Sequence, residues 1–89
     1  MDDKVKAVYA QAEPFGFSIK SCNPSGSYVE LIDENGITLE VWPEREKATL
    51  SFQAGIFSVE ARYFAWPHQG FKEIFLNKAR ELKKKIERT

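Results

Sequence analysis

The chain has little of the chemistry that usually identifies a function. Its 89 residues include one cysteine, Cys22, and one histidine, His68. A single thiol cannot form an intramolecular disulfide, and so few Cys and His residues cannot supply the ligand spacing of a zinc site. We therefore expect no metal centre, and the lone thiol favours a reducing compartment. At a strand end without a nearby activating group, Cys22 is predicted to be unreactive.

Long hydrophobic runs and an excess of one charge are also missing. No continuous apolar stretch follows Met1, which predicts neither a signal peptide nor a membrane span. Thirteen basic residues balance 13 acidic residues, so no overall field attracts the chain to nucleic acid or to an anionic membrane. These features predict a cytoplasmic protein that does not bind a membrane.

What remains is the composition of one folded domain, residues 1–89, with 43% hydrophobic and 29% charged residues. Apolar residues recur at helical spacing in residues 2–13, and Pro14 ends the pattern. A longer amphipathic helix is predicted from Gln69 or Gly70 to Arg88. Its apolar face comprises Phe71, Ile74, Phe75, Ala79, Leu82 and Ile86.

Between the helices, five short strands alternate apolar and polar residues. Four turns separate them and are too short for a crossover, so neighbouring strands must pair antiparallel. We predict an α+β fold of two layers, with an antiparallel meander of about five strands and both helices on one face, in the order α-β-β-β-β-β-α. The predicted inward residues are Phe15, Phe17, Ile19, Val29, Leu31, Ile37, Leu39, Val41, Ala48, Leu50, Phe52, Phe57, Val59 and Ala61.

Turn lengths restrict the register. A three-residue loop with Gly36 in the left-handed conformation sets Val29 opposite Val41, which keeps buried residues on one face. Applied to every turn, this rule arranges the outward residues in three rows, although a slip of two residues would preserve the faces and change the rows. The rows are Lys20, Tyr28, Trp42, Lys47 and Arg62; Ser18, Glu30, Glu40, Thr49 and Glu60; and Gly16, Ile32, Thr38, Ser51 and Ser58.

The first row is the main candidate binding surface. Aromatic rings flanked by cations are typical of surfaces on which nucleobases stack, and also of protein interfaces. The same residues could instead stabilise the sheet through cation–π contacts. This surface comprises Lys20, Tyr28, Trp42, Lys47 and Arg62.

Other polar residues suggest weaker hypotheses. Glu30 opposite Glu40 could bind a divalent cation or act as a catalytic pair, although solvent or a lysine could equally screen them. His68, near a helix start, could hold an anion or act as a base, and Trp66 could bind a partner or close the open end of the core. The basic cluster of the last helix could contact phosphate or simply be solvated; it comprises Arg80, Lys83, Lys84, Lys85 and Arg88.

Polar groups do not converge on a concave site in this pattern, so we expect neither catalysis nor a cofactor. The sequence predicts a small intracellular, non-catalytic binding or adaptor module. It would use the exposed sheet face or a sheet edge to contact another protein or a second copy of itself. The alternative is binding of single-stranded nucleic acid through Tyr28 and Trp42, and a small enzyme is the least favoured hypothesis.

Overall fold

A computed structural model describes residues 3–54, 56–67 and 76–87, without the side chains of Ala54, Phe57, Val59 and Tyr63. The predicted α+β arrangement is confirmed in these residues. The chain also forms two short 3₁₀ helices, Glu13–Phe15 and Pro43–Arg45. The main elements are α1 (Asp3–Ala12), β1 (Ser18–Cys22), β2 (Val29–Ile32), β3 (Thr38–Trp42), β4 (Lys47–Ala54), β5 (Phe57–Ala65) and α2 (Leu76–Glu87). The predicted start of the second helix lies outside the described residues.

The strands form an antiparallel meander in the order β1-β2-β3-β4-β5. The predicted turn between β2 and β3 is confirmed, because Gly36 has a φ of +79° and the backbone N–H of Asp33 donates to Ile37 at 3.0 Å. Val29 accordingly lies opposite Val41. A residue with a side chain at position 36 would be strained in this conformation, which explains the glycine.

The register of the three central strands agrees with the predicted rows, but that of β1 does not. The pairing shifts between Ile19 and Ser21, which leaves Lys20 as the extra residue of a β-bulge. Ser18 therefore lies opposite Ile32 instead of Glu30, and Ser21 takes the place beside Glu30. The predicted position of Lys20 beside Tyr28 is wrong, because a bulge adds a residue that alternation alone does not reveal.

The register of β5 also differs from the prediction. From the hairpin onward, where Ala54 pairs with Phe57, β5 is slipped by two residues, and a further shift between Ala48 and Leu50 leaves Lys47 opposite Ala65 and not Arg62. Glu60 lies opposite Ser51, where Ser58 was predicted. Arg62 consequently falls in the stretch of β5 that faces Thr49, one row away from its predicted place.

The core lies on one face of the sheet. Val5, Val8 and Ala12 of α1 and Leu76 of α2 pack in the same cluster as the inward strand residues, so both helices cover the same layer. Phe15, predicted to be in a strand, is half-buried in the 3₁₀ helix Glu13–Phe15. The buried residues that the sheet and its adjoining turns contribute are Phe17, Val29, Leu31, Ile37, Leu39, Val41, Ala48, Leu50 and Phe52. The side chains of Phe57 and Val59, which were also predicted to face inward, are outside the described set.

Helix α2 is attached to the β2–β3 turn by polar contacts. Arg80 Nη2 donates to Asp33 Oδ2 at 3.0 Å and to the Phe15 carbonyl at 2.7 Å. Lys83 donates to the carbonyl of Asn35. Two residues that the sequence placed in a basic cluster therefore fasten the helix, whereas Lys84 and Lys85 are exposed. Neither described helix has the length and apolar character needed to cross a membrane.

Candidate binding surface

Tyr28 and Trp42 lie side by side on the sheet face opposite the helices. Tyr28 immediately precedes β2, and Trp42 is the last residue of β3. Their ring centroids are 5.5 Å apart and the planes are inclined by 51°. This tilted geometry is favourable for two aromatic rings because edge hydrogens of one approach the π-face of the other. Both side chains are half-buried, so each keeps a surface that another molecule can contact.

A hydrogen bond orients the Tyr28 ring. Its hydroxyl donates to Glu40 Oε2 at 2.7 Å. Burial raises the pKa of the Tyr28 phenol well above its usual value, and the hydrogen bond to Glu40 and the charges of Glu40 and Glu30 raise it further. Tyr28 is therefore a neutral hydrogen-bond donor throughout the physiological pH range.

Glu30 and Glu40 lie directly opposite each other, as predicted. Each carboxylate receives one hydroxyl hydrogen bond: Ser21 Oγ donates to Glu30 Oε1 at 3.1 Å, and Tyr28 donates to Glu40. Within residues 3–54, 56–67 and 76–87, neither carboxylate forms an ion pair with a lysine or arginine. Like charges in this position repel each other, so a cation bound beside the two carboxylates would lower their electrostatic energy.

Two recesses flank the aromatic pair. One has a volume of about 230 Å³ and is lined by Glu40, Trp42, Thr49, Glu60 and Arg62. The other, of about 400 Å³, is lined by Asn23, Ser27, Tyr28, Trp42, Glu44 and Arg45. Thr49 lines the first recess and is only 6% exposed, although it faces outward. The aromatic pair thus forms a ridge between two concave surfaces.

The structure brings together only part of the predicted row. Lys47 lies opposite Trp42 and is exposed. Lys20 is exposed on the bulge of β1, and Arg62 forms an ion pair with Glu60 beside the first recess. The aromatic pair with Lys47 is therefore one continuous surface, and Lys20 and Arg62 lie outside that row.

The remaining candidates have separate places. Trp66 is buried in the core, and its backbone N–H donates to the backbone carbonyl of Glu46 at 2.8 Å. Cys22 is exposed at the end of β1, and His68 lies outside the described residues. Over the described ranges, His, Cys, Asp and Glu form no group of three or more that could hold a metal ion.

Ser21 was not predicted to contribute to this surface, and it reaches Glu30 only because the β1 bulge shifts it by one position. Glu60 and Arg62 were predicted on this face, and the two-residue slip of β5 changes their neighbours on β4. Strand β1 carries no glycine or proline that would have indicated the bulge.

Comparison of this chain with protein-family models, with curated proteins and with solved structures gave no match.

Proposed function

We propose that this chain is a small, non-catalytic binding domain that contacts another protein through the sheet face opposite its helices. The observation that carries the proposal is the tilted pair of Tyr28 and Trp42, half-buried on that face between two recesses. Tyrosine and tryptophan are enriched among the residues that dominate protein interfaces. A ridge between two concave surfaces also gives this face a shape to which a partner surface can be complementary.

Prior ordering of the aromatic ridge supports this function. The hydrogen bond to Glu40 holds the Tyr28 ring, and the Tyr28 ring packs against Trp42. Side chains that are already ordered lose less conformational entropy on association, so more of the contact energy appears as affinity.

The sheet face is a better contact surface than the outer edge of β1. Strand β1 has five residues, and its bulge places the charged Lys20 at the edge. Short length, bulges and lysines are devices that prevent another strand from pairing with an edge. Contact through the face, with a partner protein or with a second copy, is therefore the form of association that we propose.

Binding of single-stranded nucleic acid stays the alternative prediction. Lys47 beside Trp42 is the feature in its favour. The acidic pair of Glu30 and Glu40 counts against it, because carboxylates beside the rings repel the phosphates that supply most nucleic-acid affinity.

Trp42→Glu tests the proposal. Wild type and variant would serve as baits in host extracts, with the bound proteins identified by mass spectrometry and self-association measured by light scattering. Ile56→Glu is the matched control because Ile56 is 92% exposed and lies beyond the opposite end of β4. Circular dichroism would establish that each variant is folded.

We expect Trp42→Glu to lose a bound partner, or a dimer, that Ile56→Glu retains. Lys47→Glu provides a second variant that alters the charge of the same surface without removing a half-buried ring, and it should change the affinity of the same association. Equal association of wild type, Trp42→Glu and Lys47→Glu would contradict a binding role for this face.

A further inference from the structure

We infer that the partner places an arginine side chain against the Tyr28 and Trp42 rings and beside the carboxylate of Glu40. This inference rests on the proposed function and adds the chemistry of the partner: a basic segment of a protein that presents at least one guanidinium group. Charge complementarity, ring geometry and the shape of the adjoining recess support this occupant.

Charge complementarity comes from the opposed carboxylates. In the described part of the chain, Glu30 and Glu40 each accept one hydroxyl hydrogen bond and have no cationic partner. Because Tyr28 donates to Oε2 of Glu40, the other carboxylate oxygen can accept from an incoming donor. An arginine would relieve the repulsion between the two glutamates and form charge-assisted hydrogen bonds that a neutral side chain cannot supply.

The aromatic pair favours a guanidinium over other cations. A planar guanidinium stacks on an aromatic face while its edge donates hydrogen bonds, and an ammonium group cannot do both. Glu40 is hydrogen-bonded to Tyr28 and lines the same recess as Trp42, so ring and carboxylate acceptor are adjacent. One arginine head group can therefore contact both.

The recess beside Glu40 is suited to an inserted side chain. Its volume of about 230 Å³ corresponds to several water molecules, since each occupies roughly 30 Å³ of liquid. Arg62, the arginine of this chain that lines the recess, is already paired with Glu60. The carboxylate of Glu40 on the other wall is thus available to a partner's cation.

A titration with blocked amino acids tests the inference without knowledge of the partner. The probes are N-acetyl-arginine amide and its uncharged analogue N-acetyl-citrulline amide, added to the full chain and followed by NMR of the Tyr28 and Trp42 ring protons. The variants Glu30→Gln and Glu40→Gln preserve side-chain shape, and in Glu40→Gln the amide oxygen can still accept from Tyr28. Glu81→Gln, on the exposed surface of α2, is the matched control.

We expect weak, saturable shifts with the arginine probe that become smaller at high salt, and no saturation with the citrulline probe. Glu40→Gln should weaken binding about fivefold, the effect of one charge-assisted contact at a partly exposed site, and Glu81→Gln should leave it unchanged.

No saturable shift, equal shifts with the citrulline probe, or unchanged affinity in Glu30→Gln and Glu40→Gln would overturn the inference. Salt-sensitive binding of a single-stranded oligonucleotide at the same ring protons would overturn it in favour of a polyanionic ligand. If Trp42→Glu abolishes partner capture while the arginine probe fails to bind, the proposed function stands and the arginine inference alone is refuted.

Discussion

Replacement of Arg80 by alanine tests the attachment of α2 to the sheet. The Asp33 side chain is 0% exposed, and its Oδ2 accepts from Arg80 Nε at 3.3 Å and Nη2 at 3.0 Å. Its Oδ1 accepts from the backbone N–H groups of Asn35 and Ile37, both at 2.9 Å. Arg80→Ala would leave a buried carboxylate that retains the two backbone donors and loses its counter-ion.

The expected loss in free energy of unfolding follows from the burial of the Asp33 carboxylate. Removal of one member of a buried ion pair costs about 3–5 kcal/mol, because the remaining charge stays desolvated. The Arg80 side chain is 29% exposed, so water can partly reach the vacated position and the lower limit of about 3 kcal/mol applies. For a domain of this size the corresponding fall in melting temperature is about 12–24 °C.

The assay is urea denaturation of the single variants Arg80→Ala and Asp33→Asn and of the double variant. Asp33→Asn keeps an oxygen for the turn N–H groups but removes the charge, so the arginine should contribute much less in that background. Lys84→Ala, an exposed position of the same helix, is the control. The ion pair does not stabilise the packing of the helix if Arg80→Ala lowers the free energy of unfolding no more than Lys84→Ala does. The same conclusion follows if Arg80→Ala lowers it as much in the Asp33→Asn background as in the wild type.

Two further predictions concern the two faces of the sheet. Because the folded state raises the pKa of Tyr28 and so holds its proton more tightly than the unfolded chain does, stability should be unaffected below pH about 10 and fall above it. Urea midpoints between about pH 9 and about pH 11 should decline less in Tyr28→Phe, and equal declines would contradict the role of this phenol. On the other face, Leu50→Ala should lower the free energy of unfolding by about 2–5 kcal/mol, as for a buried leucine, whereas the exposed Gln53→Ala should change it by less than about 0.5 kcal/mol.

The architecture was predictable because it depends on local and periodic signals. Alternation separated Leu39 and Leu50 from Glu40 and Thr49, and the short turns allowed only a meander. The conformation of Gly36 followed from the requirement that Val29 and Val41 share a face. These inferences need only the two-residue period of a strand and the geometry of a turn.

The candidate surface was only partly predictable. Tyr28 beside Trp42 and Glu30 opposite Glu40 follow from the register of the central strands. The places of Lys20 and Arg62 do not. A bulge adds one residue in β1, and β5 is slipped by two residues, which leaves the alternation of its faces unchanged. The composition of the recess therefore required the folded sheet.

The sequence by itself determined which residues face the helices and which face away, since burial of apolar side chains selects one face of each strand. Only the tertiary structure decided which polar side chains meet. Asp33 and Arg80 are 47 positions apart, and their contact depends on how α2 crosses the sheet. Such contacts leave no periodic trace in the chain, because they are made by single side chains whose proximity exists only after the core has packed.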